Sequence, residues 1–388
     1  MSRMEPLLER DKDVALVRCE SYERGEVEER VARAFDLVGG PAAVIKPGES
    51  VFLKVNALLA YEPDRAVTTH PEVVRAVALQ LQKVTDRITI GDNPGGPFSV
   101  ERVYEKTGFA KVAEETGCSL CLDSSARQVV LHEGRSMKSF TISEAMASAD
   151  RLVSVSKFKT HMSMNVTCAV KNMFGAVPGM NKFTYHGRFS REEDFANLIV
   201  DVALASDPDF HVVDAVIGMD GNGPRQGRAR PLGVIAAGRD AFAVDLAMMG
   251  VIAHEPRVNK PLAAAIDRGL CPPITSDLNL VGDDLRELAV ADFVMPTKKD
   301  IGSRVPGFVM ERIGGMVSLR PVPSAKRCTG CMMCAEVCPE NAVMMVDSVA
   351  RIDTRKCIKC YCCHELCEAD AIDLEKPWLM RLARLKTD

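Results

Sequence analysis

Near the C-terminus one spacing of cysteines, C-x2-C-x2-C-x3-C, is written twice: Cys328, Cys331, Cys334 and Cys338, then Cys357, Cys360, Cys363 and Cys367. Three tightly spaced thiols and a remote fourth suit a [4Fe-4S] cube, which takes one thiolate at each iron, and in two-cluster modules the fourth cysteine of each run crosses to the other cube. The spacing therefore assigns Cys328, Cys331, Cys334 and Cys367 to one cluster and Cys357, Cys360, Cys363 and Cys338 to a second. Structural zinc instead uses C-x2-C pairs set apart by longer loops. Disulfides need an oxidising compartment. The opening residues, MSRMEPLLERDKD, are charged where a secretory leader would be apolar. Pro339 follows the first run, whereas Glu368 takes that place in the second, which also carries an extra thiol, Cys362. Cys362 is either a spare thiol or a substitute ligand.

The rest of the 388-residue chain is long enough for one large domain besides the small one, and 47% hydrophobic content fills a core. A net charge of -4 gives no general attraction to nucleic acid. No run of 18 apolar residues is present to span a membrane, and a cytoplasmic protein is expected. From residue 13 to about 295, short apolar runs alternate with helical periodicity, the pattern of an α/β fold with a mainly parallel sheet and flanking helices. Strands are expected at Val14–Cys19, Val51–Val55, Arg87–Gly91, Cys118–Leu122, Arg151–Val155, Phe210–Ile217 and Leu232–Ala237. Helices are expected at Val27–Val38, Pro71–Val84 and Asp240–Ile252. The expected domains are 1–300, the α/β domain; 301–324, a connector marked by glycine and proline; 325–375, a small α+β ferredoxin-like domain; and 376–388, a tail.

Residues 151–191 contain no Asp or Glu, although the chain has 53 in all, and carry Lys157, Lys159, Lys171, Lys182, His161 and His186 among seven lysines and arginines and two histidines. If the strand stays extended, Lys157, Lys159 and His161 share one face. Their alternation with Phe158 and Thr160 predicts one wet side and one packed side. Ligands of open α/β sheets bind beyond the carboxyl ends of strands, so an anion site is expected here. Thr167 and Lys171 are four apart and would share a helix face. The glycines of 173–179 would let backbone N–H groups approach a ligand.

A second glycine-rich segment, 218–231, has Asp214 and Asp220 beside it and could hold a phosphate or a hard cation. It matches neither a Walker A loop nor a dinucleotide fingerprint. Cys118 and Cys121 are three apart on a strand, so they face opposite ways and read as buried structural thiols. No serine–histidine–carboxylate order can be recovered.

The segments LKVN at 53–56, TTHPEVVRA at 68–76, SKFKTHMSMNVTCAVKNMFGAVPG at 156–179 and DAVIGMDGNGP at 214–224 carry a resemblance. Together they resemble the prokaryotic family catalogued as domain of unknown function 362, often fused to a ferredoxin-type module. The resemblance implies an iron–sulfur protein of anaerobes and points to Lys54, Asn56, His70, Lys157, Lys159, His161, Lys171, Asn172, His186, Asp214 and Asn222 as its polar positions.

The expectation that joins these readings is a ferredoxin-linked oxidoreductase. An external donor or acceptor protein exchanges electrons through two clusters with an anionic substrate or cofactor. Lys157, Lys159 and Lys171 clamp the anion, Lys54, Asn56, His70, Asn172, His186 and Asn222 complete the pocket, and His161 donates a proton. The rival is a non-catalytic electron carrier or maturation factor whose basic stretch docks on a partner. A metal-dependent phosphate-handling enzyme using Asp214 and Asp220 ranks third.

Overall fold

The computed structural model describes residues 11–95, 99–179, 181–296 and 319–375. Most of the expected connector and all of the tail lie outside these. The described residues divide into two compact units: 11–182 with 191–295, and 183–190 with 296 and 319–375.

The first unit is built on nine strands. They are β1 (Val14–Arg18), β2 (Val51–Lys54), β3 (Ile88–Gly91), β4 (Ser119–Leu120), β7 (Arg151–His161), β8 (Asn165–Thr167), β9 (Phe210–Asp220), β10 (Arg228–Gly238) and β11 (Leu280–Gly282). A separate hairpin pairs β5 (Ala126–Val130) with β6 (Ser139–Ser143). Sheet order is β11-β1-β10-β9-β7-β2-β3-β4, with β8 folded back on β7. The run β9-β7-β2-β3-β4 is parallel, while β10 lies antiparallel to both β1 and β9. β1 therefore points the same way as β9, and the carboxyl ends of β1, β9, β7, β2 and β3 share one edge.

Strands covered on both faces need apolar residues throughout, which is what β1 and β2 supply, with Val14 to Val17 and Val51 to Leu53 at 1% exposure or less. The helix Arg24–Leu37 turns Val27, Val31, Ala34 and Phe35 inward, and Phe35 stacks on Phe210 with ring centroids 4.6 Å apart. Helix Pro71–Gln82 starts with proline at its first turn, where a missing N–H costs nothing. Helix Ala241–Val251 is capped by Asp240, whose carboxylate accepts from the Phe242 and Ala243 N–H groups at 2.8 and 2.9 Å.

Several elements differ from the expected bounds. β7 continues to His161 and β9 to Asp220, well beyond their apolar stretches, because the extensions keep pairing: Lys159 with Met219, Lys159 to His161 with β8, and Met219 and Asp220 with the start of β10. The β5–β6 hairpin was not expected: Ala126–Val130 is mostly exposed, and its sequence ARQVV does not alternate apolar with polar. Thr167 ends β8, opposite Lys159, and only Lys171 belongs to the short helix Ala169–Asn172, so the two do not share a helix face.

The second unit repeats itself. β12 (Arg320–Pro323) pairs with β15 (Ile372–Glu375), and β13 (Val343–Val346) with β14 (Val349–Ile352). The short helices Met333–Glu336 and Cys362–Glu365 occupy equivalent places. Left-handed backbone recurs in matching pairs: Gly330 and Lys359 at φ 71° and 58°, Met332 and Tyr361 at 64° each, Asn341 and Asp370 at 48° each. Side chains rarely adopt this conformation, so the agreement means that both cysteine runs fold to one loop shape. Their core joins Cys334, Val343, Ala350, Cys363 and Ile372.

Candidate functional site

Lys157 and Asp214 face each other in register on β7 and β9, Nζ to Oδ2 at 2.9 Å, with both side chains at most 1% exposed. Tyr22, just past β1, donates its hydroxyl to Asp214 Oδ1 and accepts from Lys157 Nζ, each at 2.7 Å. The backbone N–H of His70 donates to Asp214 Oδ2 at 2.8 Å, and its ring stacks on Tyr22 with centroids 3.6 Å apart. Burial pushes the Lys157 amine below its ordinary value against the pull of Asp214. The Tyr22 phenol is driven well up by burial and then by Asp214.

The His70 ring accepts from the Glu72 N–H through Nδ1 at 3.2 Å, which leaves a neutral ring's proton on Nε2. Burial, helped by Lys157, lowers its pKa from 6.5 to about 4. In that window the unfolded chain binds the proton and the folded chain does not, so stability is full above pH 6.5 and declines as pH falls toward 4. The decline between pH 7 and 5 is about 2 kcal/mol before solvent screening at this half-buried ring trims it. Denaturant melts of the wild type and His70→Asn at the two pH values check this: the variant is expected to lose part of the slope, and an identical slope would contradict it.

Across the edge the network continues through amides. Lys159 Nζ donates to Asn56 Oδ1 at 2.7 Å and to the Val67 carbonyl. Asn56 Nδ2 and Lys54 Nζ both donate to Asn172 Oδ1, at 3.1 and 3.0 Å. Lys54 also pairs with Asp92 at 2.9 Å. Burial alone would raise the Asp92 carboxyl, but Lys54 and Lys182 hold it below the usual range. Lys182 donates to the Asn93 carbonyl, and burial, with Lys54 and Lys171 nearby, takes its amine down to about 8. Gly175 is required here because a Cβ would stand 2.5 Å from Lys54 Nζ.

In the second unit, Cys334 has Cys367, Cys331 and Cys328 as its thiol neighbours, and burial and then their charges push it up to about 11. Cys338, Cys357, Cys360 and Cys363 line one cavity of about 340 Å³, mouth included, together with Cys362. Equivalent backbone N–H groups, of Ala342 and Ala371, donate to Cys338 and Cys367 at 3.2 Å each. Thiols spaced around a cavity suit a cube that takes one ligand per iron.

The family model described as Domain of unknown function (DUF362) matches residues 51–250. The chain belongs to the DUF362 family. A 4Fe-4S binding domain matches at 321–344, so this DUF362 protein is an iron–sulfur protein with at least one [4Fe-4S] cluster. It is 30% identical over 286 residues, 74% of this chain and 88% of the relative, to a thylakoid-associated protein of Synechocystis sp.. Among solved structures it is similar to the lactate racemase apoprotein from Thermoanaerobacterium thermosaccharolyticum, at 14% identity, TM-score 0.38, covering 62% of this chain and 57% of that one. Among the described residues no helix is long and apolar enough to cross a membrane.

All the expected pocket residues fall within the matched DUF362 segment, but their setting needs one main correction. Lys157 at 0%, Lys159 at 2% and His161 at 2% exposure are buried, as is Phe158, so β7 has no wet face here. Asp214 and Asp92, remote in sequence, neutralise what the acid-free stretch lacks locally. His161 Nδ1 accepts from the Ser163 and Met164 N–H groups at 3.2 and 3.3 Å, which shapes the turn into β8. Lys171 is half-buried next to Asn172. His186 lies in residues 183–190, grouped with the cysteine unit rather than with the lysines. Asn222 sits in the β9–β10 turn, which is tied to β7 where Gly223 N–H donates to Thr160 Oγ1 at 3.1 Å. Asp220 is engaged by Arg228 at 2.6 and 3.0 Å. With Asp214 bound to Lys157 and Asp220 to Arg228, the cation reading of this pair loses its free carboxylates. Tyr22 and Asp92 were not among the expected site residues: Asp92 reads as part of a turn in GDNPGG, neither lies in the acid-free stretch, and only the fold brings them to it. Cys118 and Cys121 are buried thiols, as expected.

Proposed function

We propose that this DUF362 protein is a ferredoxin-linked redox enzyme with two [4Fe-4S] clusters, one on Cys328, Cys331, Cys334 and Cys367, the other on Cys338, Cys357, Cys360 and Cys363. The clusters relay electrons between an external donor or acceptor protein and an anionic small molecule or cofactor at the carboxyl edge of the α/β sheet. The observation that carries the reading is the gathering, at the edge where open α/β sheets take ligands, of Lys54 and Lys182 with Asp92, Lys157 with Asp214 and Lys159 on Asn56, with Lys171 near Lys182. Buried Lys54, Lys157 and Lys159 supply field rather than contact. Half-buried Lys171 and Lys182 meet the anion, and neutral His70, rather than His161, offers it a hydrogen bond from Nε2–H.

The docking-face rival is weakened, because Lys157, Lys159 and His161 are too buried to meet a partner. Mass spectrometry of small molecules released from anaerobically purified protein tests the enzyme reading. A near-stoichiometric anion is expected with the wild type and is lost from a Lys171→Gln/Lys182→Gln variant. No anion in the wild type, or equal retention by the variant, would count against the site.

A further inference from the structure

We propose that Thr68 and Thr167 are ligand-binding residues of the anion site: their hydroxyls hydrogen-bond to oxygens of the bound anion, which makes that anion a carboxylate or a phosphate. This rests on the anion-site reading above. Both side chains are interior, at 0% and 3% exposure, and among the described residues Thr68 Oγ1 and Thr167 Oγ1 have no hydrogen-bond partner. A buried hydroxyl in that state is costly, and native interiors rarely keep one unless water or a ligand completes it.

The fold brings both threonines to Lys159. Thr167 is the direct partner of Lys159 in the antiparallel β7–β8 pair, and directly opposed residues project from the same face of a sheet. Thr68 follows Val67, whose carbonyl accepts from Lys159 Nζ, and precedes Thr69, whose hydroxyl donates to the Val155 carbonyl of β7 at 2.8 Å. Thr69 is the contrast: its Oγ1 also accepts from the Asn56 N–H at 3.0 Å, so it is satisfied by the protein itself. Lys159 Nζ is engaged by Asn56 and Val67, so the two hydroxyls make the contact and the ammonium supplies the charge. O–H donors beside a buried positive charge suit oxygens that carry negative charge, and such bonds are the stronger kind.

The test compares full-length wild type with Thr68→Val, Thr167→Val, the double valine variant and Thr68→Ser/Thr167→Ser. Two quantities are read: the small molecules released from anaerobically purified protein, by mass spectrometry, and the thermal melt after exhaustive anaerobic dialysis. Valine keeps the side-chain shape and removes the hydroxyl. After dialysis the valine variants are expected to melt at or above the wild-type temperature, because each removes an unmatched buried polar group. The anion recovered per chain is expected to fall roughly tenfold or more in the double valine variant, the effect of losing hydrogen bonds to a charged group. The double serine variant, which keeps both O–H donors, is expected to retain most of it. Valine variants that melt below the dialysed wild type would mean that the protein or an internal water already satisfies the hydroxyls, and would overturn the inference. Unchanged recovery from the double valine variant, or a released molecule with neither carboxylate nor phosphate, would overturn it as well. No anion in the wild type would instead refute the anion-site reading, and the hydroxyl assignment with it.

Discussion

Lys157→Met is expected to destabilise the α/β unit by about 3–5 kcal/mol, the usual cost of removing one partner from a buried ion pair. The pair sits at 2.9 Å with no appreciable exposure on either side, so the variant strands the Asp214 carboxylate in the sheet. Tyr22 and the His70 N–H still donate to that carboxylate, but neither carries the compensating charge. The double variant Lys157→Met/Asp214→Leu is expected to recover much of the loss, since apolar replacement of both partners of such a pair is often nearly neutral. Thermal melts of anaerobic protein should show a fall in Tm on the order of 10 °C for the single variant. A melt unchanged by Lys157→Met would mean that the lysine is solvated, and the buried network would have to be given up.

The second large effect concerns the crossover of the cysteines. Cys338→Ser is expected to damage the same cluster as Cys363→Ser, although the two residues lie in different runs. Likewise Cys367→Ser should match Cys334→Ser. The reason is geometric: Cys334 has Cys367 as a thiol neighbour, and Cys338 shares a cavity wall with Cys357, Cys360 and Cys363. Each variant is expected to lose up to about half of the iron, with paramagnetic spectra falling into two classes. If instead Cys338→Ser resembles Cys334→Ser, each run holds its own cube.

What could be read in the sequence was what short-range spacing encodes. The cysteine runs are local patterns, and the apolar runs of β1, β2 and β3 announce strands buried on both faces. Direction was less legible: β10 is antiparallel to β1 and β9, and nothing in its own residues records this. At the candidate site the lysines were visible and their surroundings were not. Lys157-Phe158-Lys159 alternates like a strand with one wet side, but the partner that makes Lys157 tolerable inside is Asp214, 57 residues on, and that of Lys54 is Asp92 from the next strand end. Tyr22 sits in a charged turn with no apolar pattern, and only the parallel course of β1 and β9 carries it to Asp214. A deficit of acids in one segment was thus the trace of long-range ion pairing rather than of an open cationic surface.

The most direct measurement is the iron and acid-labile sulfide content of the full chain, purified and reconstituted without oxygen, with quantitation of the reduced cluster spins. Two cubes per chain predict about eight irons, about eight sulfides and two interacting paramagnets on full reduction. About four irons and a single isolated paramagnet after exhaustive reconstitution would contradict the two-cluster relay.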